Sequence, residues 1–177
     1  MTIIQPRRPI FVGGEGASER SYCRFLDHLA KEQGLHVHIE AVDLGGGDAS
    51  ICLDRAIRAF GNYRSRAGNT TPGFVLLDTD GSKGSTATLH IVAARHELTI
   101  IWQSPCHEAL LLRHFAGQEN RQPHDCTAAG KLLCNQWSTF TKNTPAIRIS
   151  KTLGLDHVKR AGSVTPALQE LIDEIGL

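Results

Sequence analysis

The hydrophobic positions of the chain change period several times, and each change marks an element. Pro9-Ile10-Phe11-Val12 is a short apolar run that ends in Gly13-Gly14-Glu15-Gly16, the pattern of a buried strand running into a turn. Tyr22, Phe25, Leu26, Leu29 and Ala30 then recur at helical spacing, which predicts a helix with Ser18 as its N-cap and Gly34 as its stop. His36 to Leu44 alternates polar and apolar residues as a strand does and closes on Gly45-Gly46-Gly47. Asp48 is placed to cap a second helix whose Leu53, Ala56, Ile57 and Phe60 face inward and which Gly61 ends. Asn62 to Gly73 is expected as a loop.

The next strand is the clearest. Gly73-Phe74-Val75-Leu76-Leu77 is uniformly apolar, as a parallel strand buried on both faces is, and it ends in Asp78-Thr79-Asp80-Gly81. Ser85 to His96 follows as a helix and Leu98 to Trp102 as a strand ending at Ser104-Pro105. Beyond it only helices are predicted: His107 to Phe115, Thr127 to Trp137, and a last one capped by Thr165-Pro166 with Leu168, Leu171, Ile172 and Ile175 inward. Strands alternating with helices of crossover length predict an α/β fold, a Rossmann-like parallel sheet of about four strands flanked by helices. That core is expected over residues 1–117, with residues 118–177 a mainly helical extension packed on the same domain.

Composition adds little to this and removes several classes. With 177 residues, 41% hydrophobic and 21% charged, the chain is an ordinary globular one rather than disordered, fibrous or coiled-coil. No apolar run approaches the roughly 18 residues of a membrane span, and the N-terminus has no signal-peptide pattern, so a cytoplasmic protein without a membrane partner is expected. Cys23, Cys52, Cys106, Cys126 and Cys134 are odd in number and form no CxxC pair, which argues for reduced thiols rather than disulfides or zinc. The net charge of +1 announces no partner, but it is a sum of unlike parts.

The acids gather where the chemistry of a parallel sheet belongs, at the carboxyl ends of strands. Glu15 follows the first strand, Asp78 and Asp80 the third, and Ser104, His107 and Glu108 the fourth. Carboxylates sharing one crevice repel one another unless a cation neutralises them, and hard oxygen donors select Mg2+ or Mn2+. Asp78 and Asp80, at i and i+2, are expected to point the same way and share a metal, and Glu15 is expected to be brought close by a sharp turn at its flanking glycines. Glu19 is either a further ligand or a favourable first-turn acid. His36 and His38 share a strand face and are assigned to solvent.

The bases gather elsewhere. Between Lys131 and Arg160 the chain carries Lys131, Lys142, Arg148, Lys151, Lys159 and Arg160 against Asp156 alone, with Trp137 and Phe140 among them. Cations interleaved with aromatics suit single-stranded or looped nucleic acid. Arg64 and Arg66 are expected to extend that track, and Lys83, in the turn after Asp80, to contact a phosphate.

Three of these segments, in order, resemble a family. Gly14 to Tyr22 is similar to the EGxxTE…Y opening of the RloB-like group of Toprim-domain proteins, with Ser18 in place of Thr. Leu76 to Asp80 resembles the hydrophobic strand and DxD of Toprim domains. Ser104 to Phe115 is similar to that group's S-N-P-x-F-E-x-W-L-L-x-H-F block, from which it departs by lacking the Asn and by carrying His107 and Ala109 at the aromatic positions. The resemblance implies a Toprim-like fold and a nuclease, related to the AriB and OLD-type enzymes, that cleaves RNA such as tRNA, or DNA, as an antiviral or abortive-infection effector. It implies Mg2+ or Mn2+ held by Glu15, Asp78, Asp80 and Glu19, with Glu15 an acid or base and Glu108 and His114 completing the site. It also implies a regulatory partner protein such as a defence-system ATPase. Two alternatives stay open: a Toprim domain that binds nucleic acid or a partner without cutting, and a haloacid-dehalogenase-type phosphatase. For the latter, Leu76 to Ser82 resembles the nucleophile motif, but no downstream acidic pair follows.

Overall fold

Four strands form one all-parallel sheet in the order β2-β1-β3-β4, where β1 is Arg8–Gly14, β2 Val37–Asp43, β3 Gly73–Asp78 and β4 Leu98–Gln103. This computed structural model describes residues 6–68, 70–80 and 85–177. Helices α1 (Ala17–Glu32), α2 (Ala49–Ala67) and α3 (Thr86–Arg95) connect the strands, and α4 (His107–Leu112), α5 (Cys126–Gln136), α6 (Ala146–Ile149), α7 (Leu155–Ser163) and α8 (Pro166–Ile175) follow β4. The α/β class is the expected one, and the described residues form the four strands expected.

Strand pleating divides the interior into two cores. Ile10, Val12, Phe74, Leu76 and Ile101 face α1 and the C-terminal helices, while Phe11, Val75, Leu77, Leu98 and Ile100 face the α2 and α3 side. Each such side chain, removed from water, contributes roughly 1.5–3 kcal/mol before entropy is charged against it. The first core takes in Leu133, Trp137, Ile149, Leu153, Val158, Leu168, Leu171 and Ile172, so the segment after residue 117 shares the interior of the sheet. Arg8, at the start of β1, pairs with Glu174 in α8.

Several boundaries differ from the sequence reading. α2 runs through Gly61 to Ala67. A glycine inside a helix costs about 1 kcal/mol, but the apolar face continues past it, because Phe60 and Tyr63 both pack on Phe11, with centroids 5.1 and 6.0 Å away. α1 starts two residues earlier than a Ser18 cap implies, with Gly16 as its N-cap. α4 ends at Leu112, and Arg113, His114 and Phe115 continue it only as i→i+3 turns. α6 and α7 were not expected, although Leu155, Val158, Ala161 and Gly162 carry the stripe of a helix. Among the described residues, no helix is long and apolar enough to cross a membrane.

Candidate active site

β1 has β2 on one side and β3 on the other, so the chain changes winding direction between β1 and β3, and the crevice at their carboxyl ends is where an open parallel sheet binds its ligands. Glu15 stands directly after β1 and Asp78 is the last residue of β3. Their meeting is direct: the Asp78 backbone N–H donates to Glu15 Oε2 at 3.1 Å. From the β2–α2 loop, the Gly46 N–H donates to the Glu15 carbonyl at 2.7 Å, with Gly46 at φ +68°, a conformation that favours glycine.

The glycines beside Glu15 act differently from the expectation. Neither takes a left-handed conformation: Gly16 is extended, at φ −150°. Gly14 is required by packing, since a Cβ there would lie 2.5 Å from the Cβ of Glu19. That close approach sets the first turn of α1 against the end of β1.

Glu19 is buried and fully engaged. Its Oε2 accepts the Gly16 N–H at 3.0 Å, which caps α1, and its Oε1 lies 3.9 Å from His107 Nδ1. Gln103, paired with Asp78 across β3 and β4, joins the two acids. With its carboxamide nitrogen turned toward them, as its neighbours require, Gln103 donates to Asp78 Oδ1 at 2.7 Å and to Glu19 Oε1 at 3.3 Å, and its oxygen accepts from His107 Nδ1 at 2.6 Å. Burial holds the His107 imidazole below its ordinary pKa, against the opposing pull of Glu19 and Glu108, so a neutral Nδ1–H tautomer completes the chain. Glu19 thus lines the cleft as a positioning residue, its carboxylate holding the first turn of α1 through the Gly16 N–H and Asp78 through Gln103.

These groups floor a cleft of about 220 Å3 lined by Glu15, Glu19, Asp78, His107, Glu108 and Lys142, among others. Four carboxyl groups face a single lysine in that lining. The Asp78 carboxyl is pushed up to about 8, first by burial and then by Glu15, Glu19, Glu108 and Asp80. Glu15 is raised by burial as well, partly offset by the Asp78 N–H. Lys142 reaches the cleft because Asn143 is tied to α1: the Asn143 N–H donates to Ser18 Oγ at 3.2 Å, and Ser18 Oγ donates to Asn143 Oδ1 at 3.1 Å. Ser18 is thus a clasp on the C-terminal segment and not the helix cap.

Other expected site residues lie apart from the cleft. Asp80 is exposed, does not line the cleft and accepts from Cys126 Sγ of α5 at 3.1 Å, though its charge still acts on Asp78. The chain turns here because the Pro105 carbonyl accepts the N–H groups of both Thr79 and Asp80, so the i, i+2 alignment of an extended strand is lost. His114 is wholly buried, with Tyr22 Oη 3.0 Å from its Nε2 and its Nδ1 3.0 Å from the Leu110 carbonyl, both nitrogens engaged in the core. Arg64 pairs with Glu97 and lies over the Phe60 ring, and Arg66 Nε donates to the Asn62 carbonyl. Both arginines sit near the C-terminus of α2, while Glu97 immediately precedes β4, which places them at the amino end of the sheet, opposite the cleft.

Arg160 is held by Glu119 and the His114 carbonyl. Lys151 and Lys159 are exposed and do not line the cleft. Trp137 is buried in the first core and is not a free stacking surface. Lys83 lies outside the described residues. Gln103 was missed in the sequence, where its one signal was a polar residue ending an apolar strand.

All five cysteines are free. Among the described residues, no group of three or more His, Cys, Asp and Glu side chains has the arrangement of a preformed metal site. A hard divalent cation bound by one or two carboxylates and completed by phosphate oxygens and water does not need one. Glu15, Asp78 and Glu108 fit such a role, as oxygen donors in a cleft where carboxyl groups outnumber the one lysine.

Comparison with known proteins returned no matching family model, no matching curated protein and no matching solved structure.

Proposed function

We propose that the protein is a Toprim-type, metal-dependent nuclease that hydrolyses phosphodiesters of RNA or DNA in the cleft between β1 and β3. The observation that carries this reading is the convergence of Glu15 and Asp78, from two separate strand ends, with Glu108 and Lys142 at the winding switch of a parallel sheet. Supporting it are the three motifs in order along the sequence, which also motivate a cytoplasmic role as a bacterial antiviral effector controlled by a partner protein such as an ATPase.

Glu15, Asp78 and Glu108 are the residues that would hold Mg2+ or Mn2+, which would supply charge neutralisation and activation of water for an in-line displacement. The chain does the rest. Gln103 and His107 fix the Asp78 carboxylate, and Glu19 fixes the backbone that presents Glu15. Glu15, with its pKa raised, is suited to exchange a proton with an attacking or leaving oxygen. Lys142, at the mouth, offsets phosphate charge.

The test is incubation of the chain with labelled RNA and DNA, with Mg2+, Mn2+ or chelator, beside Glu15→Gln and Asp78→Asn. Strand cleavage is expected to vanish with chelator and to fall about 100-fold or more in either variant. Cleavage that survives both substitutions and the chelator would sink the reading. Phosphate release from a generic monoester, lost in Asp78→Asn and unaccompanied by strand cleavage, would replace it with a phosphatase.

A further inference from the structure

Glu108 and Lys142 line two cavities. One is the acidic cleft; the other is a larger hollow of about 660 Å3, walled by Cys126, Lys131, Cys134, Asn135 and Phe140 with those two residues. Its size lies within the roughly 300–1,000 Å3 of small-molecule pockets, and its chemistry contrasts with the cleft beside it. Phe140 is half-buried and set against Trp137, with ring centroids 5.3 Å apart, so its orientation is fixed from behind. Among the described residues, the Asn135 carboxamide has no hydrogen-bond partner and Lys131 and Lys142 have no carboxylate partner, and all three are exposed. Cys126, on the wall, donates to Asp80 Oδ2 at 3.1 Å, which joins this hollow to the end of β3 a second time.

An aromatic wall, a carboxamide able to donate and accept together, and two free cations on the rim match one nucleotide: a flat base, its hydrogen-bonding edge and its flanking phosphates. We propose that this hollow is a nucleobase subsite, which takes one unstacked base of a single-stranded or looped nucleic acid whose adjoining phosphate lies in the acidic cleft. The inference rests on the nuclease reading for the identity of the cleft's ligand and adds the strandedness of the substrate. A base stacked in a duplex does not enter a concave pocket without being extruded, so single strands and loops are preferred.

Binding is measured on the wild-type chain with Ca2+ in place of Mg2+ or Mn2+, so that the carboxylates are neutralised, by fluorescence anisotropy of an end-labelled RNA strand, the DNA strand of the same sequence, their duplexes, and versions with one abasic position. The intact single strand is expected to bind about ten-fold more tightly than its abasic or duplex form. The RNA and DNA arms then decide which polymer is the ligand. Phe140→Leu and Asn135→Ala should each erase most of that preference while leaving abasic binding unchanged. Because Phe140 also packs on the core, a readout free of substitution stands beside it: modification of Cys134 by a thiol reagent, followed by mass spectrometry, should be slowed by the intact strand and not by the abasic one. Equal binding of intact, abasic and duplex forms, no binding of any strand, or Cys134 reactivity indifferent to the strand would overturn the subsite. Base-dependent binding without metal-dependent cleavage would leave the subsite standing and remove the nuclease, whereas base-independent cleavage that needs Glu15 would do the reverse.

Discussion

Asp78 and His114 titrate in opposite senses, and the two give separate handles on the protein. Asp78, raised to about 8 by burial and neighbouring acids, is protonated in the folded chain at pH values where the unfolded carboxyl, near 3.8, is not. Folding therefore binds a proton in this window, and its contribution to stability is lost as pH rises from about 4 through 8. Asp78→Asn, which keeps an acceptor for Gln103 and removes the charge, is expected to stabilise the chain at pH 8 by about 1 kcal/mol or more, with the gain shrinking toward pH 5 in urea melts. His114, lowered to about 3 by burial, stays neutral while the unfolded imidazole protonates below about 6.5. Its contribution is intact above that value and is lost as pH falls toward 3, at up to about 1.4 kcal/mol per pH unit. Denaturant melts between pH 7 and 5 check this, because His114→Gln should flatten the decline. Gly14→Ala drives a methyl to 2.5 Å from Glu19 Cβ and is expected to cost about 1–3 kcal/mol in melts. Glu15 and Asp78 were legible as neighbours because each stands at the carboxyl end of a strand marked by an apolar run, and a parallel sheet brings such ends together. Asp80 does not line the cleft with Asp78 because the i, i+2 rule holds only while the strand continues, and β3 ends at Asp78, where the Pro105 carbonyl takes the next two N–H groups. His114 misled because a neutral imidazole satisfied by Tyr22 and a carbonyl is an acceptable core residue.

At the level of elements, the clasp between α1 and the segment after α5 is what brings Lys142 to the acids. Ser18→Ala removes the acceptor of the Asn143 N–H and is expected to cost about 0.5–1.5 kcal/mol. Its local signature is sharper: hydrogen exchange at the Asn143 amide should accelerate while that of β1 and β3 stays slow. The strands were legible since uninterrupted apolar runs bounded by glycine and acids admit few other readings. The end of α2 was not, because the contact of Tyr63 with Phe11 that carries the helix past Gly61 is tertiary and leaves no local mark. α6 is four residues long, too short for periodicity to announce, and the stripe of α7 is short and broken by charged residues within its nine.

For the whole molecule, the first core joins the sheet to everything after residue 117. A chain cut at residue 117 leaves Ile10, Tyr22, Leu26 and Leu76 without their partners in α5 to α8. It is expected to lose its cooperative melt, as followed by near-ultraviolet circular dichroism and urea titration. Leu171→Ala in the full chain should cost about 2–5 kcal/mol, as a buried leucine does.

The sheet also acts as a partition. Gln103 and Asp78 share one face of it, and Glu19 and His107 meet them there from α1 and α4, while the cluster under α2 and α3 is built on Phe11, Val75, Leu77, Leu98 and Ile100 and carries none of the residues lining the cleft floor. Random substitution should therefore meet two different filters. Across the α2 and α3 side, hydrophobic exchanges that conserve volume should survive selection for a folded chain and for an active one alike. On the α1 side, the same mild exchanges should more often leave a chain that folds and fails, so the two kinds of selection applied to one library would map the two faces of the sheet apart.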